Sequence, residues 1–144
     1  MLFRSRAGKA LKKYFGIKPK RAGWLEWVEY SHSQDPHRAQ KCKQFSEGRF
    51  PIFVTTTILE RGITVRRANV VVLFANKSFV FDQGSLIQMA GRSGRSVEYP
   101  YGEVLFVGEQ ITKDMELAIK SIEDMNEEAR RLGYLKEPNP CVEA

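Results

Sequence analysis

Two short apolar runs constrain this chain more than any other feature. "PIFVTT" (51–56) and "ANVVVLFA" (68–75) are nearly continuous in hydrophobicity and rich in β-branched residues. Strict alternation would mark a strand with one wet face, whereas unbroken runs of this length mark parallel strands buried on both faces. "GEVLFVG" (102–108) reads as another strand, and "WLEWVEYSH" (24–32) mixes aromatic and β-branched residues as a strand does. Helical patterns lie between them. Ser5 to Phe15 has its apolar residues at helical spacing and is closed by Gly16. Pro36 is expected to open a helix through about Glu47, with Asp35 as its cap and Gly48 as its stop. "FDQGSLIQMAGR" is expected to be helical with Asp82 near its start, and "TILERG" to make about one turn. The last helix runs from about Thr112 to Leu132, with Leu117, Ala118, Ile122, Met125 and Ala129 as its apolar stripe and Gly133 at its end. Strands alternating with helices imply βαβ crossovers, hence an α/β fold with a mainly parallel sheet flanked by helices. In such sheets working residues collect at the carboxyl ends of strands. "TTTILERG" and, less directly, "QMAGRSGR" are expected at such places.

Charge and cysteine content remove several function classes. Eight basic residues and no acid fall between Met1 and Leu25, whereas the remainder holds 15 basic and 17 acidic residues. The excess of positive charge belongs to the amino-terminal arm, which suits either polyanion binding or a solvated helix face. Cys42 and Cys141 are far apart, and no Cys or His stands at metal-ligand spacing, so neither a zinc site nor a disulfide scaffold is expected. No apolar run approaches the roughly 18 residues of a membrane span, and the expected location is the cytoplasm.

The chemistry concentrates in two stretches. In "QMAGRSGR", Gln88, Arg92 and Arg95 fall at i, i+4 and i+7, which on a helix places all three on one face. Gly91 and Gly94 remove side chains beside them and let another surface come close. Guanidinium is permanently charged and presents a planar fork of donors suited to phosphate. The bland alternative is a helix end that a glycine breaks and whose arginines offset the dipole. In "VTTTILERGIT", Thr55, Thr56 and Thr57 leave a buried strand into a short turn, offering hydroxyls and free N–H groups to phosphate. Gly62 permits close backbone approach. The bland alternative here is a β-branched strand end with surface threonines.

Together these stretches resemble motifs V and VI of superfamily 2 helicases, with "QMAGRSGR" in the Q-x-x-G-R-x-G-R form. The chain resembles the second RecA-like half of such enzymes over roughly Leu2 to Leu135. "HSQDPHR", "TTTILERGIT" and "AIKSIEDMNEEA" resemble the late competence branch, helicase-like ATPases that help drive single-stranded DNA into bacteria. The resemblance implies a three-layer RecA-like domain at 1–135 and a loose tail at 136–144. It implies Arg95 as an arginine finger on the γ-phosphate of ATP, Arg92 beside it, and Gln88 on the nucleotide or coupling it to nucleic acid. Gly62, Gly91 and Thr64 would lie near the nucleotide, Thr64 standing where relatives often carry a ribose-reading aspartate. Thr55, Thr56 and Thr57, with Arg38, would face the tracked strand.

A glycine-rich phosphate loop and a magnesium-holding acidic pair are not found in the sequence; "RAGKA" fails because Lys9 precedes alanine and no strand leads into it. ATP and Mg2+ are therefore expected to be held mainly by an amino-terminal lobe, and no ATPase activity is expected of these residues alone. Only "MLF" is expected to remain of the domain's first buried strand, leaving the chain marginally stable or paired with a partner that completes the sheet. Two other functions fit the same residues: a noncatalytic nucleic-acid-binding module, or a fragment that docks on an intact helicase.

Overall fold

A computed structural model describes residues 28–56, 68–94 and 100–135. The expected helix at Ser5–Phe15, the turn at "TILERG" and the tail from 136 lie outside the described residues. The chain divides into two compact units, Met1–Val65 and Arg66–Ala144.

The first unit is a βαβ element: β1 (Val28–Ser31), α1 (Arg38–Ser46) and β2 (Ile52–Thr55). The two strands pair in parallel, from Val28 opposite Ile52 to Ser31 opposite Thr55. Val28, Cys42 and Phe50 are buried. Three aromatic rings cluster together, Phe45 lying 5.6 Å from Phe50 and 5.3 Å from Phe53, a separation at which rings attract beyond their buried area. Burial raises the pKa of the Cys42 thiol.

Helix α1 begins later than the sequence suggests. Asp35 is not its N-cap; His37 holds that position and makes no side-chain capping bond. The Asp35–Pro36 step makes a turn first, in which Asp35 N–H donates to His32 O (3.0 Å) and Arg38 N–H to Asp35 O (3.2 Å). The expected stop holds: Gly48 has φ +70, a left-handed conformation that glycine adopts without a Cβ penalty.

The second unit contains β3 (Val70–Leu73), α2 (Gln83–Ala90), β4 (Val104–Val107) and α3 (Lys113–Arg131). β3 and β4 are parallel, Val70 opposite Val104 and Leu73 opposite Val107. Both helices start at side-chain caps. Asp82 accepts from Ser85 N–H (2.7 Å) and Thr112 from Met115 N–H (3.3 Å). Hydrogen bonds from the Ser85 side chain and the Ser85 N–H hold the Asp82 carboxyl below its usual pKa. Asp114 and Glu116 in the first turn of α3, with Arg130 and Arg131 in its last, complement the helix dipole.

The core of this unit joins Val72, Ala75, Phe81, Leu86, Met115 and Ala118, with Val70 and Phe106 packed against it. Both helices thus contribute to one core, together with Val72 of β3. The strand face opposite Val72 departs from the expectation of two-sided burial: Val71, Leu73, Leu105 and Val107 are each about half exposed. Continuous apolar runs supply covering material for two faces but do not dictate that both are covered within the unit. The stripe on α3 shifts as well. Met115 and Ala118 are buried, while Leu117 and Met125 are exposed, so only the amino-terminal half of α3 is sealed.

Candidate functional site

Helix α2 links the end of β3 to the start of β4. Because the strands are parallel, its carboxyl end must return to their amino ends. Gln88–Gly94, the described part of "QMAGRSGR", therefore does not sit at the carboxyl ends of the strands, contrary to the sequence-based expectation. The helix also stops earlier than the i, i+4, i+7 pattern requires. Ala90 is its last residue and Gly91 its C-cap, after which Arg92 N–H donates to Met89 O (3.1 Å) and Ser93 N–H to Ala90 O (3.0 Å). Gln88 lies exposed in the last helical turn, and Arg92 follows, half-buried, in a tight turn of its own. The shared helical face is corrected accordingly, because Gly91 lowers helix propensity and Gly94, at φ +65, takes a left-handed conformation. Arg95 lies outside the described residues.

The turn is held by fit rather than by length. A Cβ on Gly94 would stand 2.7 Å from Pro100 O. Ser93 Oγ donates to Ala68 O at 2.8 Å, tying the turn to the chain that leads into β3. From the other side, a Cβ on Gly102 would overlap Ser93 Oγ and stand 2.9 Å from Ala68 O. Val70 N–H to Glu103 O (2.9 Å) and Glu103 N–H to Asn69 Oδ1 (3.0 Å) knit the two strand starts together. Gly91, by contrast, is exposed, and among the described residues an added Cβ would meet only carbonyls of its own helix, at 3.4 and 3.7 Å.

The first unit presents its polar residues at the opposite, carboxyl pole of its strands. Thr55 ends β2 beside Ser31, its hydroxyl donating to Thr56 O (3.3 Å), and both threonines are half-buried. Arg38 starts α1 on the chain returning from that pole. Thr57, Gly62 and Thr64 lie outside the described residues. Behind the loop, Lys41 Nζ donates to Asp35 Oδ2 (2.8 Å) and Tyr30 O (3.0 Å), lies 3.6 Å from Glu29 Oε1, and sits 5.1 Å from the Tyr30 ring centroid. Burial works against both charges, yet the Lys41–Asp35 hydrogen bond and neighbouring charges win. Asp35 is held below its ordinary pKa, helped by the His37 N–H, and Lys41 is raised above its own. Sequence reasoning missed this staple and also Ser93 and Gly102. Asp35 and Lys41 are six positions apart, outside helical pair spacing, and the Ser93–Ala68 bond spans 25 positions.

This arrangement belongs to a known class. Residues 25–97 match the helicase conserved C-terminal domain, and the chain belongs to that family. Over 101 residues it is 44% identical to competence protein ComFA of Bacillus subtilis (strain 168), covering 70% of this chain and 22% of that protein. Competence protein ComFA of Streptococcus pneumoniae (strain ATCC BAA-255 / R6) is 38% identical over 104 residues, covering 72% and 24% respectively. UvrABC system protein B of Bacillus subtilis (strain 168) is 31% identical over 108 residues, covering 72% of this chain and 16% of that protein. The matched region thus spans less than a quarter of these relatives. Among solved structures, the C-terminal domain of the DEAD-box protein Dbp5 superposes with a TM-score of 0.51 at 21% identity, covering 92% of this chain and 67% of that one. That likeness establishes the RecA-like α/β fold. The chain is a superfamily 2 helicase-like C-terminal domain similar to the competence proteins.

Proposed function

We propose that the chain acts in the cytoplasm as the carboxyl-terminal lobe of an ATP-dependent DNA translocase of the competence uptake type. The observation that carries this reading is the turn after α2. It holds Arg92 in a fixed, half-buried position beside the exposed Gly91, as a second surface that meets a bound phosphate requires. In this reading Arg95 reaches the γ-phosphate, Arg92 stands beside it, and Gln88 relays the nucleotide state to nucleic acid. Gly91, Gly62 and Thr64 lie near the nucleotide. Phosphoryl transfer is governed by positioning and charge, and an arginine brought from a second surface contributes on the order of 10³–10⁵ in rate.

The donor of this turn that suits phosphate oxygens is the Arg92 guanidinium, since the Gly91, Arg92 and Ser93 N–H groups already donate to carbonyls of α2. A magnesium ion prefers oxygen ligands and, with most of the ATP, falls to an amino-terminal RecA-like lobe. Bound there, it would supply charge neutralisation to the phosphates. Thr55, Thr56 and Thr57, with Arg38, would supply half of the groove that tracks single-stranded DNA, by hydroxyl and charge contacts to its backbone.

The test is complementation. The chain is mixed with an amino-terminal ATP-binding lobe of a competence relative, and ATP hydrolysis is followed with and without single-stranded DNA. Hydrolysis stimulated by DNA and abolished by Arg95→Ala is expected. Absence of turnover with retained, salt-sensitive DNA binding by the chain would favour the noncatalytic binding module instead.

A further inference from the structure

The turn Gly91–Gly94 contains two glycines and a serine around Arg92, a composition with high backbone freedom in isolation. Its amides bond to Met89 O and Ala90 O at the end of its own helix. A side-chain bond, Ser93 Oγ to Ala68 O, ties it to another part of the unit. Ala68 closely follows "TTTILERGIT", so this contact joins the arginine stretch to the chain emerging from the threonine stretch. The slot is shaped for a small hydroxyl. Gly102 lies where any side chain would overlap Ser93 Oγ, and Gly94 fits under Pro100 O only because it has no Cβ.

We infer that Ser93 is a positioning residue, whose hydroxyl keys the arginine turn to Ala68 and so sets the direction in which Arg92 leaves the turn. Its catalytic consequence rests on the arginine-finger reading above; the keying itself does not. Ser93 touches no substrate in this account. It acts by holding the base of a long side chain whose tip must meet a phosphate within a fraction of an ångström, where a small misplacement costs up to about 100-fold in rate.

The experiment has two arms. In the complemented pair, Ser93→Ala is expected to lower kcat about 10- to 100-fold with KM for ATP unchanged, and Ser93→Thr, which keeps the hydroxyl, to recover most of it. A merely structural defect would instead reduce the folded fraction and scale with the loss of thermal stability. In the isolated chain, amide hydrogen exchange is compared between wild type and Ser93→Ala. Exchange about tenfold faster at 92–94, with the Leu86 and Ala118 core amides unchanged, supports the keying. Wild-type kcat for Ser93→Ala in an Arg95-dependent pair overturns the positioning role while leaving the function standing. If the wild-type pair is inert, the function fails and the exchange arm alone decides: unchanged exchange, or a uniform rise across the unit, overturns the keying.

Discussion

The turn after α2 and the exit from β2 both offer donors suited to phosphate, but they are built in opposite ways. At the β2 exit, Thr55 is still in the parallel ladder beside Ser31, and its short side chain is oriented by the strand itself. Among the described residues its hydroxyl contact reaches no farther than the neighbouring Thr56 O. Arg92 has a long side chain and sits one residue past a helix end. Its backbone needs external support, which Ser93, Gly94 and Gly102 provide through one hydrogen bond and two close fits. A short donor on a regular element comes positioned; a long donor on a turn needs a lock. Substitutions around the turn should therefore affect reaction rate, whereas those around the strand exit should affect strand binding.

The largest effect tests the tip of the lock. Arg95→Ala in the complemented pair is expected to cut single-turnover hydrolysis by about 10³-fold or more, with DNA binding retained. Equal turnover in wild type and Arg95→Ala would remove the finger assignment. Next comes the fit: Gly102→Ala places a Cβ against Ser93 Oγ and Ala68 O and should destabilise the chain by about 1–3 kcal/mol in urea unfolding. No change there would mean that the strand starts relax freely and lock nothing.

A similar stability effect belongs to the other unit. Lys41→Met leaves Asp35, whose side chain is only 7% exposed, without its cation, and about 1–3 kcal/mol should be lost at neutral pH. The sign with pH follows from the shifts. Asp35 is depressed in the folded state, so its contribution is complete above its ordinary value of 3.8 and disappears as pH falls through the lower folded value. Lys41 is raised, so its contribution is complete below its ordinary value of 10.5 and disappears as pH rises through the higher folded value. As pH is lowered from 6 to 2, stability should fall less steeply in Asp35→Asn than in wild type. Parallel curves would show that the staple contributes nothing.

Smaller effects follow at a cap and at the strand exit. Thr112→Ala removes the acceptor for Met115 N–H and should cost about 1 kcal/mol in urea unfolding. Arg38→Ala should reduce the salt dependence of single-strand binding by about one phosphate contact, without altering turnover at saturating DNA.

The strands and the starts of α2 and α3 were legible because each depends on local sequence, whereas the cap expected at Asp35 gave way to a turn that delays α1 to His37. The apolar runs became β2 and β3, and Asp82 and Thr112 stand where their helices begin. The end of α2 was misread because spacing alone carried a helix through Gly91 and Gly94, where glycine's weak propensity and the +65 φ stop it. The pole of the turn was available from connectivity, since a helix between parallel strands must return to their amino ends, but the motif's chemistry drew it to the other pole. The Ser93–Ala68 bond, the Gly102 fit and the Lys41 staple were hidden because each joins residues separated by loops or whole elements. The exposure of Val71, Leu73, Leu105 and Val107 was hidden for another reason: apolar composition does not specify which face the helices take.

The central claim is that the arginine turn meets a nucleotide carried by another lobe. Amide exchange of the chain should be recorded with an amino-terminal ATP-binding lobe, before and after adding ADP with aluminium fluoride, which mimics the transferring phosphoryl group. New protection confined to Gln88–Gly94 and the start of β3 is the expected result. Protection that appears only on α3, or that fails to depend on the nucleotide mimic, would contradict the account.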